Sequence, residues 1–271
     1  MEKKMICAGI DAGSRAIKIV LMDPGNQQVI AKGLVDQGVE QNKLASALFE
    51  GVLKNKGINK KNVAKIVATG YGRNAVSFAD TTITEITCHA VGVRRLVPDV
   101  KTIIDIGGQD SKLLRLGRNG KVRDFAMNDR CAAGTGRFLE VVAQRMGIEL
   151  ESLGLMAAKS LSPAAISSMC VVFAETEITG LLASGTASED IVAGVQAAIA
   201  ARIIGMAGRN VEQPIIFTGG VAMISGMDAA LQSALGQSVQ VSPDPQMTGA
   251  LGAAILASDR LKQSQDITCI G

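Results

Sequence analysis

Ile6-Cys-Ala-Gly-Ile-Asp-Ala-Gly-Ser-Arg-Ala-Ile-Lys-Ile-Val-Leu21 is typical of two strands joined by a tight turn that contains glycine. The pattern returns further along the chain in Thr102-Ile-Ile-Asp-Ile-Gly-Gly-Gln-Asp-Ser-Lys-Leu-Leu-Arg-Leu116. Three pairs of residues match in the aligned copies: Asp11 with Asp105, Gly13 with Gly107, and Lys18 with Lys112. Such a repeat predicts two similar domains.

Each copy of the hairpin runs on into a third strand-like stretch, at residues 28–35 and 121–127, and then into helical and strand patterns. The sequence therefore predicts an α/β protein in which each domain contains a three-stranded meander and further α/β units. We place the first domain at residues 1–100 plus 249–271. The second domain is placed at 101–248 and carries Cys131 and Cys170.

The turns of the two hairpins have the chemistry of a phosphate site. Glycines remove side chains, so that backbone N–H groups can approach a phosphate closely. The aspartates that end the first strand of each copy, Asp11 and Asp105, can hold Mg²⁺ directly or through water. Two such hairpins facing each other across a cleft would bind nucleotide phosphates from both sides.

Two later stretches are also rich in small residues. Ile215-Ile-Phe-Thr-Gly-Gly-Val-Ala222 has a strand pattern that ends in Gly219 and Gly220 before a helix. This suits close passage of the backbone past a nucleoside, and the alternative is a tight turn that binds no ligand. Gln246-Met-Thr-Gly-Ala-Leu-Gly-Ala-Ala254 begins a helix able to pack tightly against a sheet.

Composition excludes some classes of function. The chain has 271 residues, a net charge of +3, 3% aromatic residues and no tryptophan. Scattered basic residues and few aromatic ones argue against nucleic-acid binding. No apolar run approaches the roughly 20 residues of a membrane-spanning helix, and the N-terminal residues lack the apolar stretch of a signal peptide. We therefore expect a cytoplasmic protein with no membrane partner.

The five cysteines are widely spaced and odd in number, which favours metal ligation or buried thiols over disulfides. Cys131 and Cys170 each stand where a polar segment gives way to a helix-like run, with helices expected near Ala132 and Val171. Taken singly, a cysteine at a helix start is more often a buried thiol. We expect Cys7 to pack in its strand. The adjacent Cys88 and His89 are expected in a helix, in the core or near the cleft, and Cys269 in a polar tail.

The hairpins and the glycine cluster, in this order, resemble the superfamily of acetate kinase, sugar kinases, heat-shock chaperones and actin. Four motifs are more specific and resemble the activator ATPases of 2-hydroxyacyl-CoA dehydratases, a family that includes ATPase subunits of benzoyl-CoA reductases and reductases of double-cubane-cluster proteins. These motifs are Ala68-Thr-Gly-Tyr-Gly-Arg73, Asp105-Ile-Gly-Gly-Gln-Asp110, Asn128-Asp-Arg-Cys-Ala-Ala-Gly-Thr-Gly-Arg-Phe138 and Cys170-Val-Val-Phe-Ala-Glu-Thr-Glu177.

The resemblance implies two duplicated actin-like, ribonuclease H-like ATPase domains with a nucleotide cleft between them. It also implies a homodimer that shares one 4Fe–4S cluster. ATP hydrolysis with Mg²⁺ would drive one low-potential electron to a partner iron–sulfur enzyme, such as a 2-hydroxyacyl-CoA dehydratase or a double-cubane protein. The electron donor would be ferredoxin or flavodoxin.

By match of motif, Cys131 and Cys170 are the cluster ligands. The resemblance places Asp11, Asp105 and Gln109 in the nucleotide site. Phosphoryl transfer needs positioning and charge stabilisation, so Asp11 and Asp105 are candidates for Mg²⁺ and water positioning, and the amide of Gln109 is a candidate to orient the attacking water. Arg15 departs from the family pattern in the first loop, which puts the phosphate contacts of that loop in question. The remaining nucleotide-site assignments are Gly13, Ser14, Arg15, Lys18, Gly107, Gly108, Asp110, Gly134, Thr135, Gly136, Gly219, Gly220 and Gln246.

The cysteine count bears on quaternary structure. A cubane cluster normally takes four thiolates, and the helix-start pattern nominates two per chain, so a two-fold axis through the cluster would complete the set. An intersubunit zinc site would use the same four ligands. The competing function is therefore an ATP-switched scaffold, or a kinase-like protein, with structural zinc.

Overall fold

The computed structural model describes residues 5–167, 170–208 and 211–268, and Cys269 lies outside these ranges. The strands are β1 (Ile6–Ala12), β2 (Ala16–Met22), β3 (Val29–Asp36), β4 (Val63–Thr69), β5 (Thr81–Thr82), β6 (Thr102–Ile106), β7 (Ser111–Leu116), β8 (Val122–Asn128), β9 (Ile215–Thr218) and β10 (Val239–Val241). The α-helices are α1 (Gln41–Asn55), α2 (Glu85–Leu96), α3 (Gly136–Met146), α4 (Ser152–Ala157), α5 (Val171–Ala183), α6 (Ser188–Ala207), α7 (Met227–Leu235) and α8 (Thr248–Thr268).

The strands form two five-stranded sheets with the same topology. The first sheet has the order β3-β2-β1-β4-β5, and the second has β8-β7-β6-β9-β10. In the first sheet β1 pairs antiparallel with β2 and parallel with β4. In the second sheet β6 pairs antiparallel with β7 and parallel with β9. The sequence repeat therefore corresponds to a duplicated α/β fold, as predicted.

The duplication extends to the register of the hairpins. Asp11 lies opposite Lys18 in the β1–β2 pair, and Asp105 lies opposite Lys112 in the β6–β7 pair. Side chains directly opposite each other on neighbouring strands are close enough to interact. Each hairpin therefore places a carboxylate beside an ammonium group at the end of a buried strand.

The chain divides into two compact units. The first contains residues Met1–Pro98, Gly120–Val122 and Gln246–Gly271, and the second contains Asp99–Asn119 and Arg123–Pro245. A core in the first unit joins the inner face of β1 and β2 to Phe49 of α1. The core of the second joins β6 and β9 to Phe138 of α3 and to the apolar face of α6. Both cores bury branched and small side chains, as the composition requires.

The structure differs from one expectation of the sequence. The segment after Cys131 forms only a short 3-10 turn at Ala132–Gly134, and α3 begins at Gly136 because the Thr135 hydroxyl caps its first turn. In addition, within the described part of the chain α6 is long and apolar enough to span a bilayer by length and composition. Core helices pass the same test, and half of the most apolar window of α6 is buried in the protein.

Candidate functional site

The first hairpin presents its cations close to the turn. The Lys18 ammonium lies 3.4 Å from Oδ2 of Asp11, and a Cβ added at Gly13 would lie 2.9 Å from the same nitrogen. Asp11 is buried, Ser14 is half-buried and Arg15 is exposed. Gln37 donates a hydrogen bond to the carbonyl of Gly13, which fixes the turn from the side of β3. Lys18 and Arg15 thus bring two cations to this turn, which suits phosphate.

The second hairpin has a different balance of charge. The Lys112 ammonium lies 3.4 Å from Asp105 and 2.8 Å from Asp110, and its side chain is 2% exposed. The Asp110 carboxylate folds over the turn, because a Cβ added at Gly107 would lie 2.6 Å from its Oδ1. Gly108 is half-buried and Gln109 is exposed at the tip. One cation facing two carboxylates suits a hydrated divalent cation better than a bare phosphate.

A second duplicated feature, which the sequence reasoning missed, lies behind each aspartate. Thr69 pairs with Asp11 and Thr218 pairs with Asp105 across parallel strands, and each threonine is followed by a glycine with φ near +90°. A Cβ at Gly70 would lie 2.4 Å from Oδ1 of Asp11, and one at Gly219 would lie 2.8 Å from Oδ1 of Asp105. The shared Thr-Gly dipeptide at the end of β4 and β9 is the signal that could have revealed this repeat.

The second hairpin is hydrogen-bonded to the start of α3. The backbone N–H of Gly136 donates to the carbonyl of Gly107 at 2.9 Å, and that of Arg137 donates to Gly108 at 2.8 Å. The absence of a side chain at Gly136 permits this contact, since a Cβ there would lie 3.2 Å from the Gly107 oxygen. The run Gly134-Thr135-Gly136 therefore lies on the second hairpin.

The third glycine cluster belongs to the same unit. Gly219 donates its N–H to the carbonyl of Pro245 at 3.0 Å, and Gly220 opens a 3-10 turn at Gly220–Met223 rather than an α-helix. Gln246 is half-buried and stands two residues before α8, in the first unit.

Cys131 lies just before the 3-10 turn and α3, and the start of α3 is hydrogen-bonded to the second hairpin. The amide side chain of Asn128 accepts a hydrogen bond from the Cys131 N–H at 3.1 Å and donates one to its carbonyl at 2.7 Å. The thiol-bearing residue is half-buried and packs against the core of its unit. Asn128 thereby fixes the backbone from which the Cys131 side chain projects.

Cys170 is exposed at the N-cap of α5, where no side chain caps the first turn. The loop before it is tied to α6, since Asp190 accepts bonds from the Ser160 hydroxyl and from the N–H groups of Leu161 and Ser162. These bonds, that of Ser160 first, lower the pKa of the Asp190 carboxyl. Cys170 therefore lies at the positive end of the α5 dipole, beside first-turn N–H groups that no side chain caps.

The other two described cysteines have a different environment. Cys7 and Cys88 are fully buried, and burial raises the pKa of the Cys7 thiol to about 11 and that of Cys88 to about 12. Within the described ranges no three His, Cys, Asp or Glu side chains lie together as a metal site. Among the described cysteines, Cys131 and Cys170 are those that are accessible, so their chemistry fits soft thiolate ligation of iron or zinc.

Comparison with known proteins places this geometry in a family. The (R)-2-hydroxyglutaryl-CoA dehydratase activating ATPase of Acidaminococcus fermentans is 43% identical over 251 residues, which cover 92% of this chain and 95% of that protein. The structure of the activator of the 2-hydroxyisocaproyl-CoA dehydratase from Clostridium difficile, with bound ADPNP, superposes with a TM-score of 0.91 at 40% identity and covers 97% of both chains.

More distant similarity concerns the fold alone. A ROK family glucokinase from Streptomyces griseus shares 13% identity and a TM-score of 0.61, covering 94% of this chain and 99% of that one. The two duplicated domains are thus of the actin-like ATPase type expected from the sequence. The family model for BadF/BadG/BcrA/BcrD ATPases matches residues 8–257. The chain belongs to the BadF/BadG/BcrA/BcrD ATPase family.

Proposed function

We propose that this protein is an ATP-dependent one-electron reductase that activates a partner iron–sulfur enzyme. The observation that carries the proposal is the pair of hydrogen bonds from Gly136 and Arg137 to the second hairpin. They join a turn with the chemistry of a nucleotide–cation site to a helix that begins five residues after an accessible cysteine. A nucleotide-dependent change at the turn therefore has a short covalent and hydrogen-bonded route to Cys131.

The two hairpins divide the work of binding ATP. Lys18 and Arg15 supply positive charge for the phosphates, whereas Asp105 and Asp110, together with Asp11 of the first hairpin, supply carboxylate oxygens for hydrated Mg²⁺. The exposed amide of Gln109 orients the attacking water. Phosphoryl transfer needs positioning and charge stabilisation more than covalent chemistry, and these side chains provide both.

The accessible cysteines hold the redox group. Cys131 and Cys170 each donate one thiolate, and a second copy of the chain completes the set of four. When bound, a 4Fe–4S cluster supplies the low-potential electron. Val172 and Phe173, next to Cys170, are exposed apolar side chains of the kind that a homodimer would cover. The uncapped start of α5 would favour a metal cluster with net negative charge.

Coupling requires that ATP bind one conformation more tightly than another, since equal affinity for both shifts nothing. Occupation of the second hairpin would re-orient the carbonyls of Gly107 and Gly108. The start of α3, which is hydrogen-bonded to these carbonyls, would then move, and so would the Ala132–Gly134 turn and the backbone at Cys131. Hydrolysis would return the segment to its first position and make the transfer one-way.

The related proteins suggest which class of enzyme accepts the electron. Two similar proteins are named as activators of 2-hydroxyacyl-CoA dehydratases, and a third relative, from Thauera aromatica, is named as part of a benzoyl-CoA reductase. We propose a dehydratase of this class or a double-cubane protein as electron acceptor, ferredoxin or flavodoxin as donor, and the cytoplasm as the compartment.

The test is anaerobic purification followed by metal analysis, visible and EPR spectroscopy, and an ATPase assay. We expect a brown dimer with one 4Fe–4S cluster, and loss of the cluster in Cys131→Ser and Cys170→Ser but not in the control Cys7→Ala. Colourless protein with stoichiometric zinc would overturn the electron-transfer proposal and favour the ATP-switched scaffold. Phosphorylation of an added sugar or acid would instead favour a kinase-like function.

A further inference from the structure

The histidine of α2 lies close to the aspartate of the first hairpin. His89 is the single histidine of the chain and is buried. Its Nδ1 lies 3.0 Å from the hydroxyl oxygen of Thr248, the first residue of α8. A histidine whose one nitrogen is tied in this way has a fixed ring orientation, and the direction of its other nitrogen is set.

That other nitrogen lies near the same point as the Asp11 carboxylate. A Cβ added at Gly249 would lie 3.2 Å from Nε2 of His89 and 2.9 Å from Oδ2 of Asp11. Both polar atoms therefore border the same small volume beside the Gly249 backbone, which a side chain at that position would fill. Two polar atoms that border one such volume can be joined by one hydrogen bond or by one bridging water.

The second unit offers a comparison within the same molecule. Asp11 and Asp105 share an opposing lysine and a positive-φ glycine behind the carboxylate. Since the chain contains one histidine, the imidazole is an addition made to Asp11 alone. An addition at one of two duplicated carboxylates indicates that the two have different tasks.

The pair formed by Lys18 and Asp11 explains why a third group is useful. The 3.4 Å separation is long for a charge-assisted hydrogen bond. Bound phosphates would draw the Lys18 ammonium away from the carboxylate, and a buried carboxylate that loses its cation needs another donor.

We propose that His89 is a positioning residue that holds the Asp11 carboxylate in its working orientation when Lys18 turns to the phosphates, with Thr248 fixing the imidazole. The inference rests on the proposed ATPase function. His89 acts through Asp11 and touches neither nucleotide nor water in the transfer step. It therefore affects the rate of hydrolysis and the Mg²⁺-dependent part of nucleotide binding more than binding of the nucleotide itself.

Two substitutions separate positioning from simple packing. In His89→Asn the amide reaches the place of Nδ1 and keeps the bond to Thr248, whereas in His89→Gln it reaches the place of Nε2 and keeps the group that faces Asp11. We expect His89→Asn to lower kcat/KM for MgATP about tenfold or more, and His89→Gln to retain most of it. The control is Arg95→Gln, an exposed position on α2 that is not part of the site.

A binding measurement makes the test independent of turnover. For each variant, the rise in unfolding temperature on addition of ADP (the thermal shift) is measured once with Mg²⁺ and once with EDTA. We expect His89→Asn to lose the Mg²⁺-dependent part of the shift and to keep the EDTA value. Activity retained in His89→Asn but lost in His89→Gln would overturn the inference and leave a packing role. A wild-type protein that neither binds nor hydrolyses ATP would overturn the proposed function itself.

Thr248→Val provides an independent check through the other end of the imidazole. Valine has nearly the shape of threonine and removes the hydroxyl that meets Nδ1. We expect Thr248→Val to lower kcat severalfold, and the double variant with His89→Asn to be no slower than His89→Asn alone, since both changes act on one element. Fully multiplicative effects of the two changes would contradict the proposed chain from Thr248 to Asp11.

Discussion

The two units share one backbone plan and differ in charge and in the chemistry of their cysteines. In the first unit the hairpin lysine faces one carboxylate and the described cysteines are buried, whereas in the second the hairpin lysine faces two carboxylates and the cysteines are accessible. The strand order and the Asp–Lys register are the same in both. Duplication thus preserved the scaffold, while side-chain changes on it gave the two copies different chemistry.

The largest difference is expected between the two lysines. Lys112 is buried between two carboxylates, so Lys112→Met leaves buried negative charge and should lower the free energy of unfolding by about 3–5 kcal/mol. Lys18 is 16% exposed and faces one carboxylate, so Lys18→Met should cost less than about 2 kcal/mol and weaken ATP binding instead. Urea unfolding and nucleotide titration of both variants check this. Equal losses of stability would contradict the charge asymmetry of the two hairpins.

The cysteines of the two units should also differ strongly in their reactivity towards alkylating reagents. Burial raises the pKa of Cys7 from its ordinary value of 9.0 to about 11, which lowers its thiolate fraction about hundredfold at pH 8. In the anaerobic apo-protein we expect iodoacetamide to modify Cys170 and then Cys131 well before Cys7 or Cys88, as read by mass spectrometry of peptides. Denatured protein, in which all thiols react alike, is the control.

The same shift predicts a pH dependence of stability. The raised pKa of Cys7 and Cys88 in the folded state means that their neutral form is favoured by folding. The stability that they contribute is therefore complete below about pH 9 and falls as the pH rises towards 11 to 12. Cys7→Ala should flatten this alkaline decline in urea unfolding curves, and an unchanged slope would show that Cys7 is not its source.

The glycines behind the two aspartates should behave alike. Gly70 and Gly219 both have φ near +90° and both lie against a backbone carbonyl and an aspartate oxygen. Alanine at either position should lower stability by about 2–3 kcal/mol and reduce ATPase activity, because φ is strained and the carboxylate is displaced. Gly51→Ala and Gly205→Ala are the matched controls, since a Cβ at these helical positions meets no atom within 4 Å. A loss of stability and activity in only one of the two variants, Gly70→Ala or Gly219→Ala, would show that the two glycines are not equivalent.

The smallest effects are expected at the exposed tips of the hairpins. Arg15→Ala should weaken ATP binding several-fold with little change in kcat, because Arg15 adds positive charge at the phosphate turn. Gln109→Ala should lower kcat about tenfold with little change in affinity, because Gln109 orients water. Steady-state kinetics and equilibrium binding of the two variants check this. Equal loss of rate and affinity in Gln109→Ala would remove its proposed role.

Much of the fold follows from the sequence because its signals are local. The hairpins, their meander strands and the helix that begins at Val171 all lie near the predicted positions. The helix expected near Ala132 is only a 3-10 turn there, and α3 begins at Gly136. Thr135 caps the start of α3, and the carbonyls of Gly107 and Gly108 receive its first N–H groups. The roles of the predicted site residues stay predictions.

The sequence by itself determined the duplicated α/β plan, the carboxylate–lysine hairpins and the two candidate ligand cysteines among the five in the chain, because residue type and spacing carry these features. Tertiary structure alone decided which groups meet across long separations in the chain. It placed the start of α3 on the second hairpin, Gly70 and Gly219 behind the aspartates, and His89 beside Asp11. Such contacts depend on how helices pack on sheets, and a few tenths of an ångström at a glycine decide them, which no local pattern encodes.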